Sequence, residues 1–309
     1  MALTNYPWLW SFVAAILVWG VTVVVAEGRG AGATLTAALN FATFYVIVGA
    51  GQMFVVTMGP GNVDLSIPAT IALAGAVSMR VMDGAGAMIP LGLLSAVGIG
   101  ALAGCGNFLL IYLLRIPPII ATLSASFILQ SLAIAFGRGL RIRPPDSLGS
   151  FATARAFGIP WIAVITLLLT IGLAYLLQHS IYGRSVLALG QNPRAAQLSG
   201  LKVNLTRFLS YALCAALAGL TGLLLAAFSG GASLDMGNQF LLSSIAVVVI
   251  GGTNIAGGDA NVPGLWGASL FLFLVVTMLN SLGVSNGLRQ VLTGLIIIAI
   301  ITASSRRTT

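Results

Sequence analysis

Leu187-Ala188-Leu189-Gly190-Gln191-Asn192-Pro193-Arg194-Ala195-Ala196-Gln197-Leu198-Ser199-Gly200-Leu201 is a short, polar, helix-capable stretch between two long apolar segments. Asn192 ahead of Pro193 reads as a helix N-cap with proline at the first helical position. The asparagine oxygen can accept a first-turn N–H, and proline has no N–H to leave unpaired. Arg194 to Leu198 then makes about two turns of helix, stopped by Gly200. A body buried in lipid would use such a stretch to touch something in the water. An interfacial connector helix is the plainer reading, and on the residues alone both stand.

Working outward, the chain has 309 residues, 58% of them hydrophobic and only 6% charged. A soluble domain carries roughly 25% charged residues, so this chain cannot make an ordinary wet surface and belongs in lipid. The net charge is +8. Its Lys and Arg sit in short connections between apolar runs, as at a membrane–water interface. They form no clustered basic face of the kind nucleic acid requires. Cys105 and Cys214 both lie inside apolar stretches and read as small core residues. Met1 to Pro7 carries no Lys or Arg, so the run from Trp8 reads as a retained span and not as a cleaved signal.

A bilayer core needs about 20 apolar residues as helix, and that ruler gives about ten candidates. They run from Trp8 to Ala26, about Thr36 to Met58, Ser66 to Arg80, Ile89 to Leu114 and Pro118 to Phe136. The second group runs from Pro160 to Gln178, Thr206 to Phe228, Phe240 to Ile250, Pro263 to Leu282 and Leu288 to Ala303. The expected fold class is an all-α, polytopic membrane protein with Gly- and Pro-broken helices. Residues 1–309 read as one transmembrane domain with an extramembrane segment over about 180–206. Charge does not orient it. Arg115, Arg184, Arg194, Lys202, Arg207, Arg306 and Arg307 fall on one side. Arg29, Arg80, Arg138, Arg141, Arg143, Arg155 and Arg289 fall on the other, seven against seven.

Two breaks resemble each other, Gly59-Pro60-Gly61-Asn62-Val63-Asp64-Leu65-Ser66 and Gly251-Gly252-Thr253-Asn254-Ile255-Ala256-Gly257-Gly258-Asp259. Each follows an apolar run containing Val-Val, which hints at an internal duplication. Irregular backbone is excluded from lipid, so such breaks must face protein or a watery cavity. Asp64 reads as a cap for the helix beginning near Leu65, against a sharper reading as a proton or cation site. Asp259 reads as the corresponding cap before the ninth span. Neither break is a phosphate loop, because no G-x-x-x-x-G-K-[ST] pattern occurs, so the chain should not itself bind ATP. His179 is the only histidine. It reads as solvated at a helix end, and makes neither a zinc site nor a Ser–His dyad. Arg138, Arg141, Arg143 and Asp146 around Pro144-Pro145 are either a solvated loop or a docking surface. Asn40, Gln52, Thr57, Asn107, Ser124, Gln130 and Asn280 are the polar residues placed to line a path; each could equally bridge two helices.

The chain resembles the permease subunits of ribose-type monosaccharide importers of the ATP-binding-cassette superfamily. Three stretches carry the resemblance. Gly61 to Ile67 is similar to the family's Gly-Gly-Ile-Asp-Leu-Ser-Val. Gly190 to Leu201 is similar to its cytoplasmic loop with paired alanines. Gly251 to Gly258 is similar to its Gly-Gly-Thr-Ser-Leu-Ala-Gly-Gly. Their order and spacing agree over essentially the whole chain. Asn62 and Pro68 stand where glycine is usual, and Asp259-Ala260-Asn261 replaces Arg-Gly-Ser.

The resemblance implies a type II-like importer permease with cytoplasmic termini in a bacterial inner membrane. It implies a second permease subunit, identical or paralogous, a cytoplasmic ATPase and a periplasmic sugar-binding protein. ATP and magnesium would belong to the ATPase, with no cofactor on this chain and no catalysis by it. Gly190, Gln191, Asn192, Pro193, Arg194, Ala195, Ala196, Gln197, Leu198, Ser199 and Gly200 would couple to that ATPase. Gly61, Asn62, Asp64, Ser66, Gly251, Gly252, Gly257 and Gly258 would form the helix breaks. The basic loop would face the periplasm. The rival classes are an ion-coupled secondary transporter of a small polar solute and a membrane-embedded enzyme. The first needs intramembrane carboxylates, whereas the acidic residues here fall near helix ends. The second lacks a catalytic constellation.

Overall fold

A computed structural model describes residues 8–25, 28, 30–137 and 143–305. Of the charges tallied above, Arg29, Arg138, Arg141, Arg306 and Arg307 lie outside the described residues.

Every apolar run read from the sequence folds as a helix. They are α1 (Leu9–Val25), α2 (Ala31–Thr57), α3 (Ile67–Met82), α4 (Ile89–Leu114) and α5 (Pro118–Gly137). After α6 (Asp146–Thr153) come α7 (Trp161–His179), α8 (Ile181–Gln191), α9 (Pro193–Leu198) and α10 (Val203–Ser229). The chain continues with α11 (Phe240–Ile250), α12 (Val262–Ser281) and α13 (Asn286–Ser305). Six of these, α2, α4 with its leading 3₁₀ turn, α5, α7, α10 and α12, are long and apolar enough to cross a bilayer, while α1, α3 and α11 are shorter apolar helices. All-α needs one small amendment. β1 (Arg155–Ala156) and β2 (Ile159–Pro160) form a two-stranded antiparallel hairpin, Arg155 opposite Pro160.

Burial follows composition. α2 is apolar all round, and every residue from Ala42 to Thr57 is buried, as expected of a helix surrounded by others. It packs against α10, α11 and α12. α10 also packs along α3 and α4. Small residues allow that approach: Gly100 and Gly104 of α4 lie on the backbone of Ala215 and Tyr211, and Gly219 of α10 lies on Ala96. In contrast α4, α5 and α7 leave apolar side chains such as Leu94, Leu102, Phe127, Ile128 and Leu168 exposed. In water those faces would be costly. In lipid, or against another subunit, they are not.

The sequence pattern passed over α6 because Asp146–Thr153 contains Gly149 and follows two prolines. What holds it is one i, i+4 pair, Leu148 and Ala152, both buried. The described part of the basic loop is thus structured. Arg143 is exposed ahead of α6, and Arg155 lies in the hairpin.

Candidate coupling and translocation site

Two short helices make up the polar stretch. Ser180 caps α8, its Oγ accepting the Gly183 N–H at 2.9 Å. Asn192 separates α8 from α9 and caps α9 through Oδ1, which accepts from the N–H groups of Arg194 (3.1 Å) and Ala195 (3.0 Å). Pro193 occupies the first turn. Gly200, at φ +83°, ends it. Only Ala196 of α9 is buried, and Leu198 is 82% exposed. An exposed leucine beside the exposed Arg194 and Gln197 gives α9 an outward face left uncovered among the described residues.

α8 is held firmly. Tyr182 stacks on Phe54 of α2 with ring centroids 5.9 Å apart. Its hydroxyl lies 2.8 Å from Ser210 Oγ of α10. Burial pushes the Tyr182 phenol up to about 12, against the opposing pull of the Ser210 hydrogen bond, so it stays neutral and available for that bond. At the other end of α8, Gly190 is wedged between the carbonyl of Thr57 and the N–H of Gly258, with no room for a Cβ. Gly258 N–H donates to Thr57 O at 2.9 Å, and Gln191 Nε2 donates to Gly258 O at 3.3 Å. Gly257, at φ +89°, stands against the backbone of Gly59. The two glycine-rich breaks, one from each half of the chain, therefore meet at the root of the polar stretch.

Residues 62–66 connect α2 to α3 without helical hydrogen bonds of their own. Inside a bundle each of their N–H and C=O groups needs a partner, and side chains from other helices supply several of them. Asp64 N–H donates to Gln52 Oε1 of α2 at 3.3 Å. Leu65 N–H donates to Thr122 Oγ1 of α5 at 3.1 Å, and that hydroxyl lies 3.2 Å from Val63 O. Asp64 Oδ1 accepts from Ser66 N–H (2.8 Å), Ser66 Oγ (2.6 Å) and Asn107 Nδ2 of α4 (3.2 Å). Asn62 Oδ1 accepts from Tyr211 of α10 at 3.4 Å. Asp64 is 1% exposed. Its carboxylate folds back on Ser66, the N-cap residue two positions later, and accepts no first-turn N–H of α3, which begins at Ile67; this corrects the expectation of a helix cap at Asp64. Two buried polar atoms in this cluster, Gln52 Nε2 and Asn107 Oδ1, have no partner among the described residues.

The second carboxylate behaves differently. Asp259 is exposed. The cap of α12 is Asn261, whose side chain accepts the Gly264 N–H at 3.0 Å, which corrects the expectation of a cap at Asp259. The chain turns through Gly257, Gly258 and two further residues before its dihedrals become helical, so the acceptor must stand two positions later. The departures from the family pattern each have a role here. Asn62 bonds Tyr211, Pro68 sits in the first turn of α3, and Asn261 is the cap.

Of the polar residues expected to line a path, Gln52 and Asn107 lie in the Asp64 cluster, and Thr57 lies at the glycine junction. Asn40 is buried, with Nδ2 donating to Thr36 O at 3.1 Å. Ser124 is exposed and Gln130 half-buried on α5. Asn280 is exposed and accepts from Arg289. Gly251 packs on the Gly264 backbone, and Gly252 turns at φ +91°. Thr122, Tyr211 and Cys214 join the cluster without having been singled out in the sequence. Cys214 donates to Gln52 Oε1 at 3.7 Å. Each lies inside an apolar run with nothing local to mark it. His179 is exposed at the end of α7, stacked on Tyr175. Among the described residues no group of three His, Cys, Asp or Glu could hold a metal ion.

Residues 34–301 match the family described as branched-chain amino acid transport system / permease component. The chain is 29% identical over 251 residues to the ribose import permease protein RbsC of Escherichia coli strain K12, covering 80% of this chain and 78% of that one. It is 29% identical over 252 residues to the autoinducer 2 import system permease protein LsrD of Salmonella typhimurium, covering 79% and 76%. No solved structure matches the chain.

Proposed function

The chain belongs to the branched-chain amino acid transport system / permease component family, and from that premise we propose that it is the membrane subunit of an ATP-driven importer for a monosaccharide. It is a multi-pass membrane protein of the inner membrane, with about ten crossings once α1, α3, α11 and α13 are counted beside the long helices. The sugar reading rests on the ribose and autoinducer 2 permeases to which it is similar. Its partners are a cytoplasmic ATPase, which holds the ATP and magnesium, a periplasmic sugar-binding protein, and a second permease subunit, identical or paralogous. Both termini are then cytoplasmic.

One observation carries the mechanical part. Gly190 and Gln191, at the root of α9, are packed directly on Thr57 and Gly258. A push on α9 would be delivered to the end of α2 at Thr57 and to the connection ahead of α12 at Gly258. Closure of the ATPase on nucleotide would thereby bias two arrangements of the bundle. Gln52 Oε1 and Asn107 Nδ2 are engaged at the α2–α3 break, which favours a positioning role for these side chains. Ser124 and Gln130, on the open face of α5, are then the candidates for lining a path shared with the second permease subunit.

The test is Arg194→Glu with Ala195→Glu, which places two like charges on the exposed face of α9. ATPase assembly and sugar uptake should both fall. Unchanged uptake with an intact complex would overturn the coupling assignment. So would uphill accumulation of sugar by this polypeptide reconstituted alone.

A further inference from the structure

We propose that the crevice between the end of α4 and the start of α10 binds the headgroup phosphate of an anionic phospholipid. The leaflet, cytoplasmic, rests on the function proposed above; the site itself does not.

The crevice has a volume of about 440 Å³ and is lined by Phe108, Tyr112, Arg115, Ile116, Asn204 and Arg207, among others. At ~30 Å³ per water it has room for on the order of ten waters, or for one phosphodiester headgroup. Arg115 follows the last residue of α4 and holds a left-handed backbone, φ +57°. That conformation is uncommon outside glycine, and here it turns the chain into α5. Arg207 and Asn204 stand one turn apart at the start of α10. Arg207 Nε is buried and has no hydrogen-bond partner among the described residues. The Arg207 side chain as a whole is half-buried, lines the crevice and bonds to no described residue, so its guanidinium donors that face the crevice are left for an acceptor from outside the chain.

The charge around it says what that acceptor is. A neighbouring crevice of about 630 Å³ shares Asn204 and Arg207 and adds Arg194 and Lys202. No aspartate or glutamate lines either one. Two guanidinium groups with an amide beside them match the several oxygens of a phosphate, which Arg binds bidentately.

Depth decides between a lipid and a free anion. Half of the crevice's lining is apolar, Phe108, Ile111, Ile116 and Pro117, with Phe108 buried. Tyr112, 52% exposed, stands at its rim, beside the exposed Leu113 and Leu114. An aromatic ring with one polar end, at the margin of an exposed apolar belt, marks the headgroup level. Basic crevices between helices on the cytoplasmic side suit anionic headgroups. An apolar lining beside a phosphate site suits an ester-linked glycerol better than a hydrated inorganic ion.

The purified permease, with the subunits that co-purify, is placed in nanodiscs of phosphatidylcholine containing a minor fraction of phosphatidylglycerol. Lipids retained on release are counted by native mass spectrometry. The wild type should retain phosphatidylglycerol preferentially. Arg115→Gln with Arg207→Gln should reduce that preference by roughly tenfold or more, at about fivefold per arginine, and Arg155→Gln should leave it unchanged. A photoactivatable phosphatidylglycerol, used on the unmodified protein, should label the peptides holding Tyr112 to Pro117 or Asn204 to Arg207, which keeps the test open if the double variant misfolds. Equal retention by the double variant, labelling confined to other peptides, or displacement of the lipid by inorganic phosphate would each overturn the proposal. So would a map of the assembled complex with a partner's acidic side chain in the crevice. None of these readouts needs transport, so a failure here is separable from a failure of the importer assignment.

Discussion

The two glycine-rich breaks look alike in sequence and are satisfied in opposite ways. The first, residues 59–66, is exposed at Pro60 and Gly61 but runs into the bundle from Asn62 to Ser66, where it draws hydrogen bonds from Gln52 on α2, Asn107 on α4, Thr122 on α5 and Tyr211 on α10. The second, residues 251–261, closes largely on itself, its bonds to other elements being those of Gly258 with Thr57 and Gln191. Thr253 N–H returns to Val248 O at 3.1 Å and Gly257 N–H to Asn254 O at 3.0 Å. Asn254 Oδ1 accepts the Ala256 N–H at 3.0 Å, and Thr253 Oγ1 accepts the Asn261 N–H at 3.2 Å. Its Ile255 is 45% exposed. Depth explains the difference. A break near water can rely on tight turns and solvent for the remainder. A break among helices must have every polar group met by a side chain placed for it. The first break is therefore a rigid hub tied to its neighbours, and the second a surface knuckle that touches the hub at one point.

That point of contact is where the comparison breaks most violently. Gly190→Ala puts a methyl group into the backbone of Thr57 and Gly258, which cannot move aside as a side chain could. The expected cost is about 3 kcal/mol or more, the upper end of overpacking, with uptake lost because α8 must leave the junction. Gly106→Ala is the control. It lies in α4 with nothing within 4 Å of the added carbon and should stabilise by about 0.5–1 kcal/mol, as alanine does over glycine in a helix. Thermal midpoints of the detergent-solubilised protein would show the two changes moving in opposite directions. A common direction would mean the junction is not packed as described.

How far these features were legible in the sequence follows the same division. Apolar runs fix helices by composition, so α4 and α11 begin and end where Ile89, Leu114, Phe240 and Ile250 suggested. The cap at Asn192 was legible because its partners are two and three residues away. Local chemistry, however, does not report distant partners. Thr122 and Tyr211 serve the first break from 57 and 149 residues along the chain, and nothing near them marks the role. Asp64 and Asp259 looked equivalent for that reason. The meeting of Gly59 with Gly257 was likewise invisible, since it depends on how α2 and α11 pack and not on either motif.

The two aspartates sharpen the contrast at intermediate scale. Asp64→Asn keeps the shape but turns an amide N–H toward groups that are already donors, Ser66 and Asn107 Nδ2. Leaving buried donors unmatched should destabilise by about 1–3 kcal/mol. Asp259→Asn, on an exposed side chain, should stay within about 0.5 kcal/mol. If the two variants shift the thermal midpoint equally, the hub is not built around the Asp64 carboxylate.

The smallest effect tests the claim that the second break is locally satisfied. Asn261→Ala removes the one side-chain acceptor for the Gly264 N–H, and a lost N-cap costs about 1 kcal/mol. The loss should stay local, because the knuckle's other bonds run within its own residues or back into α11, apart from those of Gly258 to Thr57 and Gln191. Amide exchange at the start of α12 should therefore speed up while Ser66, held by Asp64 in the hub, keeps its protection. Faster exchange at Ser66 in the same variant would show the two breaks to be energetically continuous, with the Gly59–Gly257 contact transmitting more than packing. A push on α9 would then reach the Asp64 cluster through the knuckle as well as through Thr57.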